Sequence, residues 1–271
     1  MVGSHSRKRK NPKLKDGQGK ARKQLAKVSR DGNRYLLARI PMGDDKGCSL
    51  EKTVNRNGKM LHAARLQGNE LGDELTEALR NDKHLGPFLA IPGKDNGFDI
   101  EGLAVVDGRI FLGLRGPVLR GWAVVLELAV KEDGRSLSLK AIGPNARRYR
   151  KHFLQLGGLG IRELCVQGGD LLILAGPTLD LDGPVSVFRW RGGCSPNDEA
   201  LVPSSELQRV LDIPYGDGSD HAEGMTLLVT GKGEEPGLLV VYDAAAEGRK
   251  VKRSGVLADL FELPRACTGS S

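Results

Sequence analysis

Aromatic residues are scarce in this chain, which has six Phe, two Trp and four Tyr among 271 positions. None of them falls between residues 7 and 34, so its most basic stretch offers no platform on which nucleobases could stack. Cysteine is equally sparse. Cys48, Cys165, Cys194 and Cys267 are widely spaced and form no C-x-x-C pair, which excludes a zinc knuckle or a dense disulfide framework and leaves buried or incidental thiols. Long apolar runs are also missing. Charged residues or glycine interrupt every β-rich stretch well short of the roughly 20 residues that cross a bilayer, so no membrane partner is expected. The chain contains no G-x-S-x-G, H-E-x-x-H or G-x-x-x-x-G-K-[ST], so serine hydrolase, zincin and P-loop readings lack their chemical parts. Gly157, Gly158 and Gly160 lead into a strand rather than a helix and make no dinucleotide fingerprint.

Positive charge is abundant but local. The formal net charge is +7, yet residues 1–40 hold 13 Lys or Arg against Asp16 and Asp31, a net of +11 that leaves the remainder at −4. The run Arg7 to Lys15, followed by Lys20 to Lys23, reads as a solvated insertion loop over 7–32, with a basic helix within Gly19 to Ser29. Nucleic acid is not the expected partner.

Self-comparison organises the rest. Ile100-Glu101-Gly102-Leu103, Ile161-Arg162-Glu163-Leu164 and Ala222-Glu223-Gly224-Met225 begin 61 residues apart each time. Each is followed by a turn and a second apolar run: Ile110 to Leu114, Leu171 to Ala175 and Leu238 to Tyr242. Third strands are expected at Trp122 to Val130 and Val185 to Trp190, and fourth strands at Leu137 to Ile142 and Val210 to Ile213. Three or four short strands per unit predict an all-β, β-propeller-like domain over 1–271 with about four blades. A β-sandwich is the competing architecture. Short helical insertions decorate the strands, the second at about 69–90, where Leu71, Leu75, Ala78 and Leu79 have helical spacing. Gly3-Ser4-His5-Ser6 reads as the end of a second strand, which makes the first blade incomplete, and the basic stretch Arg147 to His152 reads as a solvated loop over the channel face.

Asp95 to Leu103, Gly113 to Trp122, Leu174 to Pro184 and His221 to Met225 together resemble the bacterial family catalogued as domain of unknown function 3616 (DUF3616). The resemblance covers nearly the whole chain. It implies a propeller-like fold with further strands upstream of Gly3, so the chain resembles an N-terminally truncated member whose unpaired edge would favour self-association. Any leader is then expected upstream of Met1, and the compartment is undetermined, with cytoplasm as the default.

Propellers place ligands where the loops entering the innermost strands meet those between second and third strands. That rule selects His221, Glu101 and Glu223 as candidate catalytic groups, with His221 as proton carrier because its ordinary pKa is near 6.5. Arg115, Arg120, Arg162 and His5 are candidates for holding an anionic ligand, since a guanidinium offers paired donors to a planar anion. Asp99, Asp180, Asp182 and Asp220 could supply oxygen ligands to calcium or magnesium, although Asp180-Leu181-Asp182-Gly183 lacks the closing Glu of an EF-hand. Two functions follow: a metal-assisted hydrolase of phosphate or carboxylate esters, or a non-catalytic binding or scaffolding module whose channel charges are structural ion pairs.

Overall fold

A strand with every residue buried needs a core on each of its faces. Arg109–Gly116 is such a strand from Phe111 onward: Leu112 and Leu114 pack into one apolar cluster while Phe111, pointing the other way, packs into the next. The same alternation recurs in Trp122–Asp133, where Val124, Leu126 and Leu128 face one core and Ala123 and Val125 the other. In Asp170–Gly176, Leu171, Ile173 and Ala175 are divided in this way from Leu172 and Leu174. Three apolar cores separating successive sheets result from this period of two.

The structure is a computed structural model that describes residues 1–43, 49–179, 181–231, 233–252 and 254–264. It is mainly β, with two short α-helices, α1 (Gln18–Ala26) and α2 (Glu74–Leu79). The best formed sheets run in chain order. The first contains β1 (Asp99–Val106), β2 (Arg109–Gly116), β3 (Trp122–Asp133) and β4 (Arg150–Gln155), all antiparallel to their neighbours. The second contains β5 (Gly160–Gln167), β6 (Asp170–Gly176), β7 (Val185–Trp190) and β8 (Leu207–Ile213). The third has β9 (His221–Leu228), β10 (Gly237–Asp243) and β11 (Asp259–Phe261). Ahead of them, Val2 bridges Leu37, and Ala38–Arg39 pairs with Ala64–Leu66. The amide of Ile100 bonds the carbonyl of Ser4, which sets the N-terminal segment beside the start of β1. Among the described residues no ladder joins the third sheet back to the first strands. No described helix is long and apolar enough to cross a membrane, and Cys165 and Cys194 are free thiols.

Three local expectations need correction. Ser136–Leu139 is a strand, but it lies between the far end of β3, antiparallel, and Ala64–Leu66, parallel, and β4 takes the expected fourth-strand position. Of the expected loop at Arg147 to His152, only Arg147 to Tyr149 precede the strand, with Arg148 exposed. Arg150 to His152 open β4, where the Lys151 ammonium bonds Asp82 at 2.6 Å and His152 bonds Glu127 at 3.1 Å, each pair buried. A run of cations stays buried when each has its own acceptor across the chain. Finally, α2 excludes Leu71, because Asp73 is extended and caps the helix by accepting from the Thr76 amide at 3.0 Å.

Gly102 and Gly113 face each other across β1 and β2 and let β5 approach closely. A Cβ on Gly113 would lie 2.4 Å from Cγ2 of the fully buried Ile161. Gly113→Ala should therefore lower stability by about 1–3 kcal/mol in urea unfolding, through overpacking between two sheets. An unchanged midpoint would show that the sheets can part at that point.

Candidate functional site

Each inner hairpin carries a β-bulge at the same place. In β1 the ladder passes from Gly102, opposite Gly113, to Ile100, opposite Leu114, and skips Glu101. In β5 it passes from Glu163 to Ile161 and skips Arg162, and in β9 from Gly224 to Ala222, skipping Glu223. A bulge frees a residue from strand alternation and re-aims its side chain. Here the three freed residues are those found 61 positions apart, and their charges alternate in sign. Arg162 Nη1 lies 2.8 Å from Glu223 Oε1 and 3.9 Å from Glu101 Oε2, and Arg115, itself passed over by the ladder in β2, bonds Glu101 at 2.9 Å. The second Nη of each arginine donates to a backbone carbonyl, that of Leu179 for Arg115 and that of Pro177 for Arg162.

Two clefts open over this ion-pair chain and share Lys94 and Arg115. One, of about 230 Å³, is lined by Arg162, His221, Glu223 and Asp182. Asp182 accepts from His221 at 2.7 Å and from the Gly218 amide at 2.9 Å, and these bonds, the amide's foremost, hold its carboxyl below the usual range. The other cleft, of about 440 Å³, is strongly basic: Arg7, Lys8, Arg9, Arg34, Lys94 and Arg115 line it against only Asp99 and Glu101. Arg34 donates to both Ser6 Oγ, at 2.6 Å, and Ser4 Oγ, at 3.3 Å. Asp99 is 6% exposed, and its carboxylate occupies space that a side chain on Gly93 would fill, since a Cβ there would stand 2.3 Å from Oδ2. Burial, aided by the charge of Glu101 and opposed by Arg115, raises the Asp99 pKa to about 7. Burial raises Glu101 as well, against the pull of both arginines.

The expected site residues thus divide. Glu101, Glu223, Arg115 and Arg162 form one connected chain, and His221, Asp182 and Asp99 line the adjoining clefts. His5 does not join them. Its ring is buried, with Nε2 2.6 Å from Asp73 Oδ2 and Nδ1 2.7 Å from the Gly3 carbonyl, so it fastens the N-terminal segment to the cap of α2. Arg120 is exposed in a left-handed conformation at the turn between Leu119 and Trp122 and lines neither cleft. Asp220 accepts from the Ala246 amide at 2.8 Å and from Arg249 Nε at 3.1 Å, and it lines neither cleft. Asp180 lies outside the described residues. Among the described residues no three acidic, His or Cys side chains are grouped to hold a metal ion, so Asp99, Asp182 and Asp220 do not form one ligand set by themselves.

Lys94, Arg34 and Arg7 to Arg9 were not foreseen as lining a cleft here. Lys94 was within reach of the sequence, because it lies in the loop entering β1, where ligand groups were expected. The others arrive by tertiary pairing: Arg7 bridges Pro92, and its carbonyl accepts from the Gly93 amide.

A carboxyl whose pKa is higher in the folded state penalises folding above its unfolded value. The penalty of Asp99 should grow as pH rises from about 4 to about 7, by roughly 1.4 kcal/mol for each pH step of one, and then level off. Asp99→Asn should accordingly gain stability over the wild type across that window, read as urea midpoints at several pH values. A difference that is constant with pH would mean that Asp99 is ionised throughout.

No curated protein and no solved structure matches the chain. The model of the family described as "Protein of unknown function (DUF3616)" matches residues 1–259, so the chain belongs to the DUF3616 family.

Proposed function

We propose that the successive sheets surround a common axis in the manner of a β-propeller, and that the face carrying the ion-pair chain binds a small anionic molecule. The shared bulge position and the three cores between neighbouring sheets support the first part. The second rests on one observation: six cationic side chains line the larger cleft against two carboxylates, one of them held near neutrality by burial. Low-dielectric walls strengthen such a field. Arg34, with the Ser4 and Ser6 hydroxyls, offers donors that suit phosphate or carboxylate oxygens. The positive charge that calcium or magnesium would bring is supplied here by side chains.

The reaction that such a site would serve is hydrolysis of an anionic ester, with Asp99 carrying a proton to the leaving oxygen and His221, steadied by Asp182, serving the adjoining cleft. A scaffolding module is the second reading, favoured by the way Arg115 and Arg162 commit their Nη groups to intrachain acceptors.

Titration calorimetry with inorganic phosphate separates the two. Binding to the wild type, weakened at least tenfold by Arg34→Gln and by Lys94→Gln, is the expected result. No heat of binding, with a melting temperature insensitive to phosphate, would favour the scaffold. A melting temperature raised by calcium or magnesium instead of phosphate would favour metal-assisted chemistry.

A further inference from the structure

The basic segment of residues 7–30 folds as a short antiparallel ribbon, Lys8–Arg9 against Val28–Ser29, connected through α1. Two periodicities meet there. On the ribbon Lys8 and Lys10 share a face with Ser29, which is opposite Lys8, and with Lys27, two residues earlier. Arg7 and Arg9 alternate with them and line the channel cleft, Arg9 bonding Asp95 at 2.7 Å. On the helix Lys20, Lys23 and Gln24 fall at i, i+3 and i+4, on one face, and the extended residue that ends it is Lys27.

These two faces enclose a cleft of about 490 Å³ lined by Lys8, Lys10, Lys20, Lys23 and Lys27, with Gln24 and Ser29 and no carboxylate. Asp16, 3.4 Å from Lys20, does not line it. Like charges three and four apart disfavour a helix, so this face carries a repulsion that a bound polyanion would relieve. Lys8 also lines the channel cleft, which makes the two basic surfaces continuous.

We propose that the ligand is an extended phosphate chain, an inorganic polyphosphate, that lies in the lysine cleft and presents its end to the channel face. This rests on the anion-binding reading of that face and names its ligand class. Ammonium groups read charge density without directional pairing, and the segment has no aromatic side chain to stack a base. The chemistry therefore selects phosphates alone, not nucleotides.

The test titrates the full chain with a short linear polyphosphate, with inorganic phosphate and with a single-stranded oligonucleotide of matched charge. Polyphosphate should bind at least tenfold more tightly than either, with an affinity that falls on the order of 100-fold between about 50 and 200 mM salt as counterions are released. Combining Lys20→Ala, Lys23→Ala and Lys27→Ala, all exposed positions, should weaken polyphosphate at least tenfold and leave phosphate binding within twofold. Polyphosphate binding untouched by these substitutions, or an oligonucleotide bound as tightly, would overturn the proposal. Loss of phosphate binding alone, with lysine-dependent polyphosphate binding intact, would refute the channel reading and leave the lysine cleft standing.

Discussion

Three bulged residues of alternating charge, Glu101, Arg162 and Glu223, hold the entrances of the inner strands together. Without the bulges, strand alternation would keep these side chains in the ladder's regular facing. With them, each charge meets one of opposite sign from the next sheet, and Arg115 closes the end of the series on Glu101. Arg115 and Arg162 are buried, whereas Glu101 is half-buried and Glu223 exposed. Removing Glu101 would deprive two buried guanidinium groups of a carboxylate, and such a pair is costly to break even where its net contribution to stability is small.

The apolar cores and the ion-pair chain do different work. Leucine, valine and isoleucine on both faces of β2, β3 and β6 give the sheets a reason to stack, but apolar burial is non-directional and does not determine which side chains gather at the strand entrances. Glycine and charge supply that direction. Gly102 and Gly113 bring β5 close, and Gly93 leaves room for the Asp99 carboxylate beneath the N-terminal segment. Asp99 then offsets the cost of its burial by giving up its charge near neutral pH, while the surrounding cations face the cleft.

Much of this was legible in the order of residues. The hairpins at Asp99–Gly116, Gly160–Gly176 and His221–Asp243 follow from apolar runs divided by turn signals, and the even spacing of Glu101, Arg162 and Glu223 pointed to a common facing. The misread places share a cause. Arg147 to His152 looked like solvated charge because Asp82 and Glu127, their partners, are distant in sequence. The Asp73 partner of His5 is likewise 68 residues away, and Leu71 looked helical because spacing was weighed without the Asp73 cap.

The chain order by itself determined the β class, the family, the inner strands and the identity of the charges at their entrances, since these depend on periodicities of two and on motifs read within a few residues. Tertiary structure alone decided which charges neutralise one another and that the basic N-terminal segment lies beside the entrance of β1. The physical reason is range. Propensity and alternation act between neighbours along the chain, whereas an ion pair or a shifted pKa depends on burial and on partners that only folding brings within a few ångströms.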